Sequence, residues 1–130
     1  MDLSHAFLSG ADLAGANLSS TNLSDAEFVS AGLARANLDG AYLSRTDLSG
    51  ANLSGATLHG AVLTSVQMEP VVQYRSGGKG SKLVKTDLSE ADLTGAKIAY
   101  TAMHKARVDG LKHDGVIEAI SERMDRLQTI

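Results

Sequence analysis

Residues 11–28 read ADLAGANLSSTNLSDAEF, and this stretch decides the fold. A large apolar residue returns at every fifth position, at Leu13, Leu18, Leu23 and Phe28. Two places before each centre stands a small residue (Ala11, Ala16, Thr21, Ala26), and the residue between them is polar, most often Asp or Asn. Across the wider repeat the two places after the centre are mostly Ser, Gly, Asp or Arg. Working outward, the pattern runs without a break from Leu3 to Met68. Self-similarity at a fixed period outranks local propensity as a sequence signal.

A period of five fits neither regular element. On a helix, centres five apart would advance about 500° and spread over every face. On a long strand they would alternate between faces, because the side-chain period there is two. A short extended piece followed by a turn satisfies both constraints. The small residue and the centre then point inward together, and the polar residue between them points out. The Ser/Gly pair supplies the turn, since Gly tolerates φ > 0 and Ser bonds local backbone. Turns of one hand wind the chain into a square coil with Leu and Ala inside.

The A(D/N)Lxx unit, over roughly residues 2–68 and 82–108, resembles the pentapeptide-repeat proteins. The resemblance implies an all-β solenoid, a right-handed quadrilateral β-helix with four pentapeptides per coil. At about twenty residues a coil, the chain holds about five coils, rising by ~4.8 Å each. It also implies a non-enzymatic role. The best-understood members bind DNA gyrase or topoisomerase IV, mimic duplex DNA and confer resistance to topoisomerase poisons.

The repeat lapses at residues 69–82, a Gly-rich, basic stretch that holds the only Pro, and resumes at Leu83 in unchanged phase. Gln73 and Gly78 fall at centre positions and suit a core poorly. Two registers are open: ten residues loop out and Leu83 stacks on Leu53, or none do and Leu83 stacks on Leu63. Residues 1–108 thus form the interrupted β-helix. Residues 109–130 form a turn and an amphipathic helix that caps the end or dimerises, with Asp114 as N-cap and Ile117, Ile120, Met124 and Leu127 as its stripe.

Composition narrows the function classes. The chain has 130 residues, net charge −3 and no Cys, so thiol chemistry and Cys-ligated zinc are excluded. No apolar run is long enough to span a membrane, and no signal peptide precedes the repeat; a cytoplasmic protein is expected. His5, His59, His104 and His113 read as surface histidines and not a metal site, and no cofactor is expected. The carboxylates, Asp39 among them, read as solvated wall residues without a pocket to tune them. The SGGKGSK run lacks the phosphate-loop spacing.

Two surfaces remain as candidates. One is a partner-contacting loop with Tyr74, Arg75, Lys79 and Lys82. The other is an acidic wall of Glu27, Asp47 and Glu69, with Lys97 following on the same wall. The first functional reading is an interaction scaffold for an unidentified protein. The second is a DNA mimic that occupies DNA gyrase; it needs regularly spaced negative charge on a rigid rod. Neither involves direct contact with nucleic acid or membrane. A solenoid end exposes unpaired backbone and core, so a homodimer through the C-terminal or the N-terminal end stands beside a capped monomer. Asn17 and Asn37 should sit one above the other, one coil apart, where stacked amides can hydrogen-bond along the rod.

Overall fold

The computed structural model describes residues 1–74 and 80–114. Along the repeat, each five-residue unit makes one parallel bridge and then turns. The middle residues form four ladders: Asp2–Asn22–Tyr42–Val62, Phe7–Glu27–Asp47–Gln67, Asp12–Gly32–Asn52–Asp87–Arg107 and Asn17–Asn37–Thr57–Asp92–Lys112. Two stretches are long enough to be strands, β1 (Val62–Thr64) and, later, β4 (Lys97–Ala99), which extend the first ladder in parallel.

The turn explains the composition of the repeat. The N–H of most small residues donates to the carbonyl of the preceding centre, as from Ala6 to Leu3 at 3.1 Å and Ala26 to Leu23 at 3.1 Å. The residue two after the centre takes φ of 54° to 75° at nearly every corner, as a type II turn requires. At His5, Arg35, Glu90 and Tyr100 no glycine relieves that strain, and the surrounding ladder must hold it.

That leaves one backbone N–H per turn, on the residue just after the centre, and the middle residue takes it. Oδ1 of Asp2, Asp12, Asn17, Asn22, Asn37, Asp47, Asn52, Asp87 and Asp92 each accepts the N–H two residues on, at 2.9–3.2 Å. Such local bonds are what Asp and Asn do in turns. At three turns where the middle residue does not accept, the coil below supplies the acceptor. After Glu27, Val29 N–H bonds Ser9 Oγ; after Thr57, His59 N–H bonds Asp39 Oδ1; after Gln67, Glu69 N–H bonds Ser49 Oγ. Asn17 and Asn37 stack as expected, but no amide–amide bond joins them; each carbonyl oxygen serves its own turn.

Inside runs a column of Leu, Phe and Met. Leu23 to Met68, Leu88 and Leu93 are buried with the small residues beside them, while Asp12, Asn17 and Asn52 face solvent. Leu3, Leu8 and Leu13 of the first coil are only half-buried. Buried threonines replace some alanines without leaving a polar orphan: Thr46, Thr86 and Thr101 donate their hydroxyls to the carbonyls of Leu23, Leu48 and Leu63 at 2.7–3.0 Å.

Both sequence registers for the insertion are corrected. Asn52 pairs with Asp87, thirty-five residues on instead of twenty, so fifteen residues leave the coil. Leu88 stacks on Leu53, and Leu83 is exposed. The excluded residues build an antiparallel hairpin of β2 (Val71–Tyr74) and β3 (Ser81–Val84), pairing Val71 with Val84 and Gln73 with Lys82. Val71 seats the hairpin on a corner glycine: a Cβ on Gly50 would lie 2.8 Å from Val71 Cγ2. The C-terminal helix with Ile117, Ile120, Met124 and Leu127, and the loop residues Arg75 and Lys79, lie outside the described residues.

Two outcomes follow for equilibrium denaturation. Leu38→Asp, a charge in the dry column, should cost several kcal/mol, whereas Asn52→Ala should cost about 1 kcal/mol, the value of one turn bond. Gly60 and Gly50 have similar φ (66° and 65°), but nothing lies near Gly60. Both Ala variants pay about 1–2 kcal/mol of backbone strain; Gly50→Ala should lose a further 1–3 kcal/mol, roughly, or unseat the hairpin.

Candidate functional site

The acidic-wall residues are brought only partly together. Glu27 and Asp47 are neighbours in one ladder, bounded by exposed Phe7 on one side and Gln67 on the other. Glu69 sits at the adjoining corner, where its N–H bonds Ser49, and its carboxylate takes two bonds from Lys105 Nζ at 2.8 and 3.0 Å. Lys97 does not follow them: it pairs with Val62, on the ladder that begins at Asp2. The other ladders run from acid or amide at the N-terminal end to base at the C-terminal end: Asp2 to Lys97, Asp12 to Arg107, Asn17 to Lys112. Charge is thus graded along the rod and is not continuous on a wall.

Corners collect ion pairs that sequence spacing concealed. Arg45 binds Asp25, one coil below, through Nε and a terminal nitrogen, both at 2.9 Å. His59 lies between Asp39 of the coil below (Nδ1, 3.2 Å) and Asp92 of the coil above (Nε2, 2.8 Å). Bonds from Thr94 and His59 hold the Asp92 carboxyl well below the usual range. Burial pushes the Asp39 carboxyl up, but bonds from His59 and Thr57 outweigh it and leave it lowered. Asp92 and Asp39 together raise His59. Asp39 is therefore a clip between coils and not a passive wall residue. The described residues contain no cluster of His, Cys, Asp and Glu able to hold a metal ion.

The hairpin places Tyr74 and Lys82 on its exposed surface. Between β3 and the third ladder runs a groove of about 550 Å³, lined by Lys82, Leu83, Val84 and Lys85 on one side and Gly50, Ala51, Asn52, Asp87 and Arg107 on the other. Arg107 bonds Asp109 at 3.1 Å and approaches Asp87 at 3.8 Å. The sequence did not reveal Lys85, Leu83 and Arg107 as groove residues. The available signal was the pair of β-branched runs around SGGKG, which reads as a hairpin.

Matching to family models finds eight copies of pentapeptide repeats, over residues 2–33, 26–65 and 79–110. The chain belongs to the pentapeptide-repeat family. Among solved structures it is similar to HetL of Nostoc sp. strain PCC 7120, a pentapeptide repeat protein involved in heterocyst differentiation regulation. That match has 28% identity and a TM-score of 0.54, covering 85% of this chain and 46% of HetL. It is also similar to alr5209, a pentapeptide repeat protein of Nostoc PCC 7120, with 30% identity and a TM-score of 0.52, covering 87% of this chain and 84% of that one. QnrB1, a plasmid-mediated fluoroquinolone resistance protein, aligns at 15% identity and a TM-score of 0.41, over 98% of this chain and 89% of its own in a trypsin-treated form. No curated protein sequence matches. This pentapeptide-repeat chain spans less than half the length of HetL. No helix among its described residues is long and apolar enough to cross a membrane.

The His59 clip gives this repeat protein a pH signature. Its raised pKa means the imidazolium contribution is complete below about 6.5 and lost as pH rises through the raised value. The lowered carboxylates contribute above about 3.9 and lose that contribution as pH falls through their folded values. The melting-temperature gap between the native protein and His59→Gln should be widest between these limits and shrink at pH 8; a gap independent of pH would remove the clip.

Proposed function

We propose that this pentapeptide-repeat protein is a non-catalytic scaffold, a rigid rod that presents side chains and an inserted hairpin to a protein partner. The observation that carries the reading is how completely the turns consume their own polar groups. Asx side chains take turn N–H groups and backbone bonds join each coil to the next, so the outward faces are fixed and regular. Among the described residues the pairs Arg45–Asp25, His59–Asp92 and Lys105–Glu69 lie at the surface, which suits recognition and gives acid–base chemistry little to work with. With the family's handedness the coil is right-handed, about five turns long, and interrupted at the hairpin. The coil runs past the boundary at 108 expected from the sequence, to Lys112, which pairs with Asp92; beyond it Ile117, Ile120, Met124 and Leu127 act as a C-terminal cap or dimer contact. The protein works in the cytoplasm.

The DNA-mimic reading draws on Glu27 and Asp47, adjacent on one face. Mimicry needs that charge repeated along the rod, and here Phe7, Gln67 and the Glu69–Lys105 pair interrupt it. Capture from a lysate of the source organism, followed by identification of bound proteins, should return a specific partner retained by Glu27→Gln/Asp47→Asn. Supercoiling by DNA gyrase should be unchanged at a large molar excess. Protection of gyrase that disappears in the double variant would favour the mimic instead.

A further inference from the structure

The geometry points to a peptide-docking groove: we infer that the cleft between β3 and the Asn52–Asp87–Arg107 ladder receives an acidic, extended segment of a partner protein, paired along the free edge of β3. The inference rests on the scaffold reading above and adds to it where the partner binds and what its chemistry is.

Three observations converge there. The first is an open edge. β3 pairs with β2 on one side, and among the described residues no backbone hydrogen bond joins Ser81–Val84 to the solenoid wall. Such an edge is a template for one more strand. The second is charge. Residues 69–85 carry four basic residues and one acid, in a chain of net charge −3. Lys82 and Lys85 line the cleft together with Arg107, whose guanidinium bonds Asp109. The third is an apolar anchor. Leu83 is 66% exposed between the two lysines, although most leucines of the repeat are core residues. A strand alternating acidic and apolar side chains would set an acid opposite Lys82 and an apolar residue opposite Leu83.

Nucleic acid suits the cleft less well. Among the described residues the groove lining holds no aromatic side chain on which a base could stack, and Asp87 stands in the wall. The lysines also guard the edge against self-association; as guards alone they would give no selective binding.

The test is amide chemical-shift titration of the full chain with three probes: a hexapeptide alternating glutamate and valine, its lysine–valine counterpart, and hexathymidylate. The glutamate peptide should shift the amides of residues 81–85, Asn52 and Arg107, with a dissociation constant of roughly 1 mM or tighter. K82E/K85E should weaken it by about tenfold or more, and Leu83→Ser should weaken it while leaving the ladder amides in place. The lysine peptide should give no comparable shifts. No response to the glutamate peptide, equal response to the lysine peptide, tighter binding of hexathymidylate, or indifference to K82E/K85E would each overturn the groove. Repeating the lysate capture with K82E/K85E separates the two proposals. A partner retained by the variant leaves the scaffold standing and removes this site, and a partner lost by it supports both.

Discussion

A chain that turns every five residues has only its own next coil to hydrogen-bond with. Each short extended piece offers a bridge upward and another downward, and both are made only if the chain returns above itself. Everything else in this molecule depends on that return. The core is a column because centres stack; the walls are flat because middle residues stack; the corners hold strained φ because four ladders lock them. Parallel pairing alone leaves one N–H per turn unmatched, and an unmatched backbone donor is costly. Asp and Asn recur in the middle position for that reason, and Ser9, Asp39 and Ser49 from the coil below serve three of the turns where they are missing.

The same constraint accounts for what was legible in the sequence. The five-residue phase was enough to place Leu23 to Met68 inside and Asp12, Asn17 and Asn52 outside, since inside and outside depend only on position within the unit. The register across the insertion is a different quantity. Phase modulo five is equally satisfied by an insertion of zero, five, ten or fifteen residues. Leu83 was read as a centre because it is apolar and in phase, yet it lies on a hairpin strand with its side chain exposed. Contacts that depend on register were illegible for the same reason. Asp92 meets His59, and Lys105 meets Glu69, only once fifteen residues have left the coil.

Function was less legible than fold because the repeat specifies its inside and leaves its outside free. Acidic residues counted along the sequence suggested a wall, but a wall also requires adjacency on one ladder and freedom from partners. Glu27 and Asp47 meet the first requirement; Glu69 fails the second, bound by Lys105. The hairpin breaks the pattern most clearly and places Lys82, Leu83 and Lys85 beside a cleft. A segment released from the ladder is free of the constraint that shapes the rest of the chain, and this is where binding chemistry can vary without cost to the fold.

The register across the insertion tests this account most directly, and methyl nuclear Overhauser spectroscopy reads it. The account predicts contacts from Leu53 methyls to Leu88 and from Leu58 to Leu93, with none from Leu53 to Leu83. Contacts of Leu83 with Leu53 or Leu63, with no Leu53–Leu88 contact, would contradict it.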